Sequence, residues 1–210
     1  MFVTLKLLHC LIFLRMVEVF NINEDICIGL LHLKFYAIEQ NLMSKREIEL
    51  KGKCYLINQL LKREAKIIYD ENGKPYVENE KINISISHSH DKLVIIVNRK
   101  DATGIDIELV RNKVLNIKHK FLSINESEDA ENDIEKLMIY WAAKETLYKI
   151  YGLKEVNFIE HLFVKPFTKC NLGKLIGEIN LPNLKENFQL NYVFADGYVL
   201  VYVLNKINRC

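Results

Sequence analysis

Three short runs rich in β-branched residues stand close together in the middle of this chain and limit the folds that it can adopt. The runs are INISIS at 82–87, KLVIIVN at 92–98 and TGIDIEL at 103–109. Each has the length and composition of a β-strand. They predict a sheet in this part of the chain.

A helix is predicted on each side of these strands. The first helix runs from 44 to about 64, with Ser44 as N-cap and Glu47 three residues later in a capping box. The second runs from about 133 to 151 and is closed by Gly152. Between the first helix and the strands, the stretch YDENGKPY has turn chemistry, because Asn-Gly favours positive φ and proline cannot donate to a strand ladder.

After the second helix the pattern returns to strands at 161–167, 188–194 and 198–204, and Ala195-Asp196-Gly197 predicts a hairpin between the last two. Helix followed by strands therefore occurs twice, once on each side of about Lys100. This order favours an α+β fold of two similar halves packed together, with any site between them. We expect residues 16–101 to form the N-terminal half and residues 102–210 the C-terminal half.

The composition is typical of an ordinary globular protein rather than a disordered or fibrous one. Half of the 210 residues are hydrophobic and 27% are charged. The formal net charge of +2 comes without an arginine-rich face or a long basic run, so nucleic acid is not a predicted partner. Any site for an anion must be local.

The cysteines and the N-terminal residues bear on where the protein works. The five cysteines form no CxxC pair and cannot all be joined in disulfides, which indicates a reducing, cytoplasmic setting. The first 20 residues are largely apolar, but Lys6, His9 and Arg15 interrupt them, and no stretch reaches the roughly 18 apolar residues of a membrane span. We therefore expect no membrane association. Residues 1–15 are interpreted as an N-terminal extension, either a buried strand or residues that precede a true start at Met16.

Asp106 and Glu108 share one face of the strand in GIDIE. Side chains alternate along a strand, so the two carboxylates point the same way with a rise of about 6.6 Å between them. They repel each other unless that face is wet or a cation lies between them, and hard oxygen ligands at this spacing suit Mg²⁺. A half-buried strand with a solvated acidic face is the alternative that these residues leave open.

The stretch WAAKETLYK gives the second predicted helix an arc of charge. At 100° per residue, Lys144, Glu145 and Lys149 fall within about 140° of one another, flanking the rings of Trp141 and Tyr148. The opposite side of the helix is uninterrupted and apolar, and we expect it to face the core. Glu145 lies between the two lysines, as a ligand would among groups that hold an anion. A solvated stripe with one salt bridge is the alternative.

The stretch SISHSHD offers Ser87, His88 and His90. A His-x-His pair can be half of a zinc site, but no further histidine follows at zinc spacing. A histidine just past the end of a strand, beside a serine, more readily holds a phosphate or fixes a loop. A metal hydrolase built on the two histidines is kept as the weaker alternative.

Taken together, these motifs resemble those of the Sfp-type 4'-phosphopantetheinyl transferases, the superfamily of holo-acyl-carrier-protein synthase. They occur in the family's order as GKP at 73–75, ISHS at 86–89, GIDIE at 104–108, FLSINE at 121–126 and WAAKETLYK at 141–149. The resemblance covers roughly residues 44 to 205. It implies two similar α+β halves related by a pseudo-twofold axis, with the active site between them.

The resemblance also implies a reaction. The 4'-phosphopantetheine arm of coenzyme A is transferred, with Mg²⁺, to a serine of an apo acyl or peptidyl carrier protein, and adenosine 3',5'-bisphosphate is released. The implied partners are coenzyme A and the carrier, and the protein is expected to act as a monomer. Whether the carrier serves fatty acid, polyketide or peptide synthesis is not indicated. A relative that binds coenzyme A or a carrier without turnover is the other reading, although every acidic ligand position is filled.

Residue by residue, the resemblance implies a metal set and a catalytic set. Asp106, Glu108 and Glu145 would hold Mg²⁺ together with the pyrophosphate of coenzyme A, and Lys149 would contact the same phosphates. Glu145 and Glu126 are both candidates for the general base that takes the serine proton, and the sequence does not choose between them. The implied coenzyme A contacts are Lys45, Arg46, Lys53, Lys74, Ser87, His88, Lys144 and Lys149.

Overall fold

Residues 16–207 are described by the computed structural model of this protein, and the predicted extension, residues 1–15, lies outside them. Within this range the chain forms two antiparallel sheets and five α-helices. Helices cover the outer face of each sheet, and the inner faces of the two sheets pack against each other. The resulting order of layers is helix, sheet, sheet, helix.

The first sheet has the spatial order β1-β2-β6-β5-β4-β3. Its strands are β1 Val17–Asn21, β2 Ile26–His32, β3 Ile67–Tyr69, β4 Pro75–Val77, β5 Asn83–Ser89 and β6 Lys92–Asn98. The helices on its outer face are α1 Leu33–Glu39 and α2 Lys45–Leu61. This sheet therefore takes all of its strands from the first half of the chain.

The second sheet has the spatial order β7-β11-β10-β9-β8. Its strands are β7 Ile105–Leu109, β8 Leu162–Val164, β9 Leu172–Leu181, β10 Leu184–Ala195 and β11 Tyr198–Ile207. Between β7 and β8 the chain forms α3 Val114–Ile117, a 3-10 turn Lys118–Lys120, α4 Ile124–Ala130 and the long helix α5 Ile134–Tyr151. Helix α5 packs across this sheet and supplies much of its core.

Strand β6 explains why two sheets can stack in this way. All seven of its residues are buried, and the five between Lys92 and Asn98 form a continuous apolar run rather than an alternating one. Leu93, Ile95 and Val97 pack toward the helices α1 and α2, whereas Val94 and Ile96 pack toward the second sheet. Both faces of the strand are thus buried against apolar side chains, and this burial of apolar surface is the dominant favourable term in folding.

The ends of the two long helices follow from their capping residues. The Ser44 hydroxyl accepts a hydrogen bond from the Glu47 N–H, and the Asp133 carboxylate caps α5 in the same way. Helix α2 ends at Leu61, a few residues before the predicted end, because Lys62 takes a left-handed conformation. Gly152, with φ of +71°, closes α5 as predicted.

The prediction of an α+β fold is confirmed by the two sheets and their covering helices. The hairpin at Ala195-Asp196-Gly197 is also confirmed, since it joins β10 to β11. The pseudo-twofold relation of the halves and their boundary at residue 101 stay predictions. None of the helices in residues 16–207 has the length and hydropathy that a membrane crossing requires.

Candidate active site

A close approach between strand β7 and helix α5 creates the centre of the candidate site. A Cβ atom on Gly104 would lie 2.3 Å from the carbonyl oxygen of Thr146, so only glycine lets the start of β7 come this near to the helix. The approach brings Asp106 beneath Lys149, whose ammonium donates to the Asp106 carboxylate over 2.7 Å and to the Ile105 carbonyl over 3.1 Å. The ion pair between Asp106 and Lys149 thus joins β7 to α5.

A row of serines on β5 supports the two carboxylates of β7. The Ser87 hydroxyl donates to Asp106 Oδ1 over 2.6 Å, and the Ser89 hydroxyl donates to Glu108 Oε2 over 2.9 Å. One step along the strand, the Ser85 hydroxyl accepts from the Ile105 N–H over 3.2 Å. The three hydroxyls join the first sheet to the second, and those of Ser87 and Ser89 fix the direction of the two carboxylates.

Glu108 is held from a second side by the only tryptophan of the chain. The indole N–H of Trp141 donates to Glu108 Oε1 over 3.1 Å, so both carboxylate oxygens accept a hydrogen bond. Burial, and then the nearby charge of Asp106, nevertheless raise the pKa of Glu108 above its ordinary value. The carboxylate is therefore fixed in place but costly to ionise.

Glu145 stands on α5 close to both β7 carboxylates. Burial, and then the charges of Asp106 and Glu108, raise its pKa to about 7 against the opposing charge of Lys149. Asp106, Glu108 and Glu145 thus form a group of neighbouring carboxylates in which an added cation would be stabilised. A strongly raised pKa beside a specific charge partner is also a common sign of a functional site.

The predicted magnesium set can be tested against this geometry. In the part of the chain from 16 to 207, no three His, Cys, Asp or Glu side chains already stand close enough together to hold a metal ion. Asp106 Oδ2 is, however, buried without a hydrogen-bond partner, and it belongs to the same carboxylate that Lys149 contacts. Magnesium binds through one or two protein carboxylates together with waters and substrate phosphates, so this donor set fits the ion. The three-residue set itself stays a prediction.

A basic cavity of about 320 Å³ opens on one side of Glu145. The charged and imidazole side chains that line it are Lys53, Lys74, His88, Glu145 and Lys149. Lys74 crosses from the turn before β4 and donates to the carbonyl of Ile150 over 3.1 Å, while Gly152 leaves room for its alkyl chain. Burial lowers the pKa of the Lys74 ammonium. The cavity combines residues of the first sheet, of α2 and of α5, and has the charge to receive phosphates.

A second cavity, of about 700 Å³, opens on the other side of Glu145. It is lined by Ile117, Lys120, Trp141, Glu145, Glu155, Val156, Asn157 and Phe158. The Trp141 and Phe158 rings lie 5.8 Å apart between their centroids, within a larger group of aromatic side chains. We call the two spaces the basic cavity and the aromatic cavity. Glu145 lines both of them.

Two of the predicted site residues face away from the basic cavity. Lys144 is fully buried, and its ammonium donates to Glu126 Oε2 over 2.6 Å. Glu126 is itself 3% exposed and also accepts from Ser123 and from the Val164 N–H. The structure pairs these two residues with each other and does not bring them to the basic cavity.

The remaining predicted contacts are divided between different surfaces. Lys53, Lys74, His88 and Lys149 line the basic cavity. Ser87 lies behind Asp106 as its hydrogen-bond donor. On the first turns of α2, Lys45 pairs with Glu49 and lines another cavity, against α1, and Arg46 is exposed.

His88 and His90 do not share a cavity. His88 faces the basic cavity, 3.8 Å from Glu49, and burial lowers its pKa. His90 lies at the turn after β5, with a positive φ of 54°, and lines the cavity between α1 and α2. This separation gives no support to a metal hydrolase built on the pair.

Ser85 and Ser89 support the site, but the sequence reasoning did not assign roles to them. The signal was present in the alternation of SISHS, because serines at every second position of a strand must share one face. Only the position of β7 beside that face shows what the hydroxyls bind.

Residues 102–203 match the family model of the 4'-phosphopantetheinyl transferase superfamily, which confirms the family resemblance. This range contains Asp106, Glu108, Glu145 and Lys149. No curated protein is significantly similar to the chain.

Proposed function

Because residues 102–203 form a domain of the 4'-phosphopantetheinyl transferase superfamily, we propose that the protein transfers the phosphopantetheine arm of coenzyme A to a serine of an apo carrier protein. The products are the modified carrier and adenosine 3',5'-bisphosphate. The observation that carries the proposal is the position of Glu145, which lines both a basic and an aromatic cavity. A substrate with a phosphorylated end and an amphipathic end suits such a pair of cavities.

The basic cavity suits the nucleotide end of coenzyme A. Lys53, Lys74, His88 and Lys149 supply donors for the 3'-phosphate and the pyrophosphate. Lys149 also bonds to Asp106, so it lies next to the place where the pyrophosphate would meet the carboxylates. In this assignment Lys45 and Arg46 lie outside the binding cavity.

The aromatic cavity suits the pantetheine arm. Trp141, Val156 and Phe158 offer apolar surface to the arm's methyl and methylene groups. The Asn157 side-chain oxygen already accepts from backbone N–H groups, so its NH2 is the donor available to the arm's amide carbonyls. The arm would then leave its phosphate beside Glu145, where the two cavities meet.

Magnesium fits the carboxylates of this site. Asp106, Glu108 and Glu145 would hold the ion. The Oδ2 atom of Asp106 is buried without a hydrogen-bond partner, so a bound cation would stabilise it. When bound, the ion neutralises charge on the pyrophosphate and on the oxygen that leaves.

The transfer is a displacement at phosphorus. The serine oxygen of the carrier bonds to the β-phosphorus of coenzyme A, the bond to the nucleotide oxygen breaks, and the serine proton passes to a base. We assign the base to Glu145 rather than Glu126, because Glu145 lines both cavities while the Glu126 oxygens are taken up by hydrogen bonds and by Lys144. Lys149 donates to the phosphoryl oxygens as charge develops on them.

The test uses purified protein, coenzyme A, Mg²⁺ and several apo carrier proteins, with intact-mass spectrometry of the carrier. The expected result is a mass gain of one phosphopantetheine that disappears with EDTA and with a carrier whose acceptor serine is replaced by alanine. No gain on any carrier would overturn the proposal. Activity restored by Zn²⁺ but not by Mg²⁺ would instead favour a zinc enzyme.

Trp141 supplies a separate measurement of binding. As the only tryptophan of the chain and a residue of the aromatic cavity, it should change its fluorescence when coenzyme A binds. Binding without transfer to any carrier would identify a non-catalytic relative.

A further inference from the structure

Lys144 uses its whole capacity as a donor inside the protein. An ammonium group has three N–H donors. These donate to Phe121 O over 2.6 Å, to Phe158 O over 2.8 Å and to Glu126 Oε2 over 2.6 Å. With the side chain 0% exposed, no donor remains for a phosphate in the basic cavity.

Apart from α5, two segments line the aromatic cavity, and we call them its walls; one carbonyl that accepts from Lys144 directly follows the first wall and the other belongs to the second. Phe121 follows the segment that contributes Ile117 and Lys120 to one wall. Phe158 ends the segment 155–158, which contributes the other wall. The third segment that lines the cavity is α5, through Trp141 and Glu145, and we call it the floor. One ammonium on the floor helix therefore holds both walls.

Glu126 completes the arrangement as the counter-charge. Its Oε2 accepts from Lys144 and from the Ser123 N–H and hydroxyl, each of the latter over 2.8 Å. Its Oε1 accepts from the Val164 N–H over 2.8 Å, which ties α4 to strand β8. The carboxylate thus anchors Lys144 to the second sheet.

We propose that Lys144 and Glu126 are positioning residues that fix both walls of the aromatic cavity around its occupant, rather than a phosphate contact and a base. The first part, the fixing of the walls, stands on geometry alone. The second part, that the occupant is the pantetheine arm, rests on the proposed function. The two parts can be tested separately.

The variants are chosen so that the fold survives the change. Lys144→Met alone would leave the Glu126 carboxylate buried without its cation, so the double variant Glu126→Gln with Lys144→Met removes both charges together. The matched control is Lys136→Met, since Lys136 also lies on α5 and also bonds to a carboxylate and a backbone carbonyl, both of Asp129. It does not line either cavity.

The walls are tested by amide hydrogen exchange without any ligand. In the double variant, exchange of segments 117–122 and 153–160 should rise at least about tenfold, because two buried carbonyls lose their donor. The control should leave both segments unchanged. Unchanged exchange in the double variant would show that Lys144 and Glu126 do not fix the walls, whatever the protein's function.

The occupant is tested by comparing two ligands. Coenzyme A carries the arm, whereas adenosine 3',5'-bisphosphate contains only the nucleotide end. We expect the double variant to bind adenosine 3',5'-bisphosphate as the wild type does, but to lose about tenfold or more in affinity for coenzyme A, equivalent to about 1.4 kcal/mol. An equal loss for both ligands, as expected for Lys149→Met, would show that Lys144 contacts phosphate and would overturn the proposal. A wild-type protein that binds neither ligand would overturn the proposed function. The exchange measurement would still show whether Lys144 and Glu126 fix the walls.

Discussion

Replacing Glu145 with glutamine should make the protein without ligand more stable at pH 8. Burial and the charges of Asp106 and Glu108 raise the pKa of Glu145 from its ordinary 4.5 to about 7. The folded state therefore holds a proton that the unfolded chain releases, and it binds more protons than the unfolded chain between about pH 4.5 and 7. The free energy of unfolding must fall as the pH rises through this window.

The size of the effect follows from the same two values. The interval between 4.5 and about 7 corresponds to about 3 kcal/mol of destabilisation, complete above pH 7. Glutamine has nearly the shape of a protonated glutamate and cannot ionise. We therefore expect the variant to match the wild type near pH 4 and to exceed it by up to about 3 kcal/mol at pH 8.

The assay is urea unfolding of both proteins at pH 4, 6 and 8, in buffer with EDTA. Glu128→Gln, at an exposed position on α4, is the matched control and should change stability little at any of these pH values. If Glu145→Gln were no more stable than the wild type at pH 8, the carboxylate would not be held at a cost, and this account of the site would be refuted.

Three other changes test further parts of the account. Replacing Asp106 with alanine should abolish carrier modification in the mass assay, because it removes a proposed metal ligand; near-normal activity would refute the metal assignment. Trp141→Phe keeps an aromatic ring but removes the donor to Glu108, a bond to a charged group worth about 1.5–3 kcal/mol. The Mg²⁺ concentration for half-maximal activity should therefore rise about tenfold or more, and an unchanged Mg²⁺ titration would contradict the role of the indole. Gly104→Ala should lower the free energy of unfolding by about 1–3 kcal/mol in urea denaturation, since its Cβ would meet the Thr146 carbonyl at 2.3 Å; full stability would show that the close approach is not needed.

Local patterns in the sequence predicted the elements that depend on nearby residues. Helix α5 begins after Asp133 and ends at Gly152 because both caps act within one turn of the chain. Strands β5, β6 and β7 have the β-branched composition that predicted them. Strands β1, β2 and β9 and the helices α1 and α4 were not predicted, since none of these segments carries a motif or cap that we interpreted as a particular element.

The environment of Lys144 could not be predicted from a helical wheel. The wheel placed Lys144 on the same arc as Trp141, but the segments that cover that side of α5 come from elsewhere in the chain. Phe121 and Phe158 bring their carbonyls to the ammonium only after folding. Lys149 lies on the other side of Glu145, where β7 leaves an open cavity, so two lysines of one motif have different surroundings.

The central claim is that the site transfers an intact arm from coenzyme A to a serine. The most direct measurement counts adenosine 3',5'-bisphosphate released and carrier modified in the same reaction, with Mg²⁺ present. The account predicts one nucleotide released for each carrier that gains a phosphopantetheine, and neither product with Glu145→Gln. Release of nucleotide without modification of the carrier would show a hydrolase and contradict the claim.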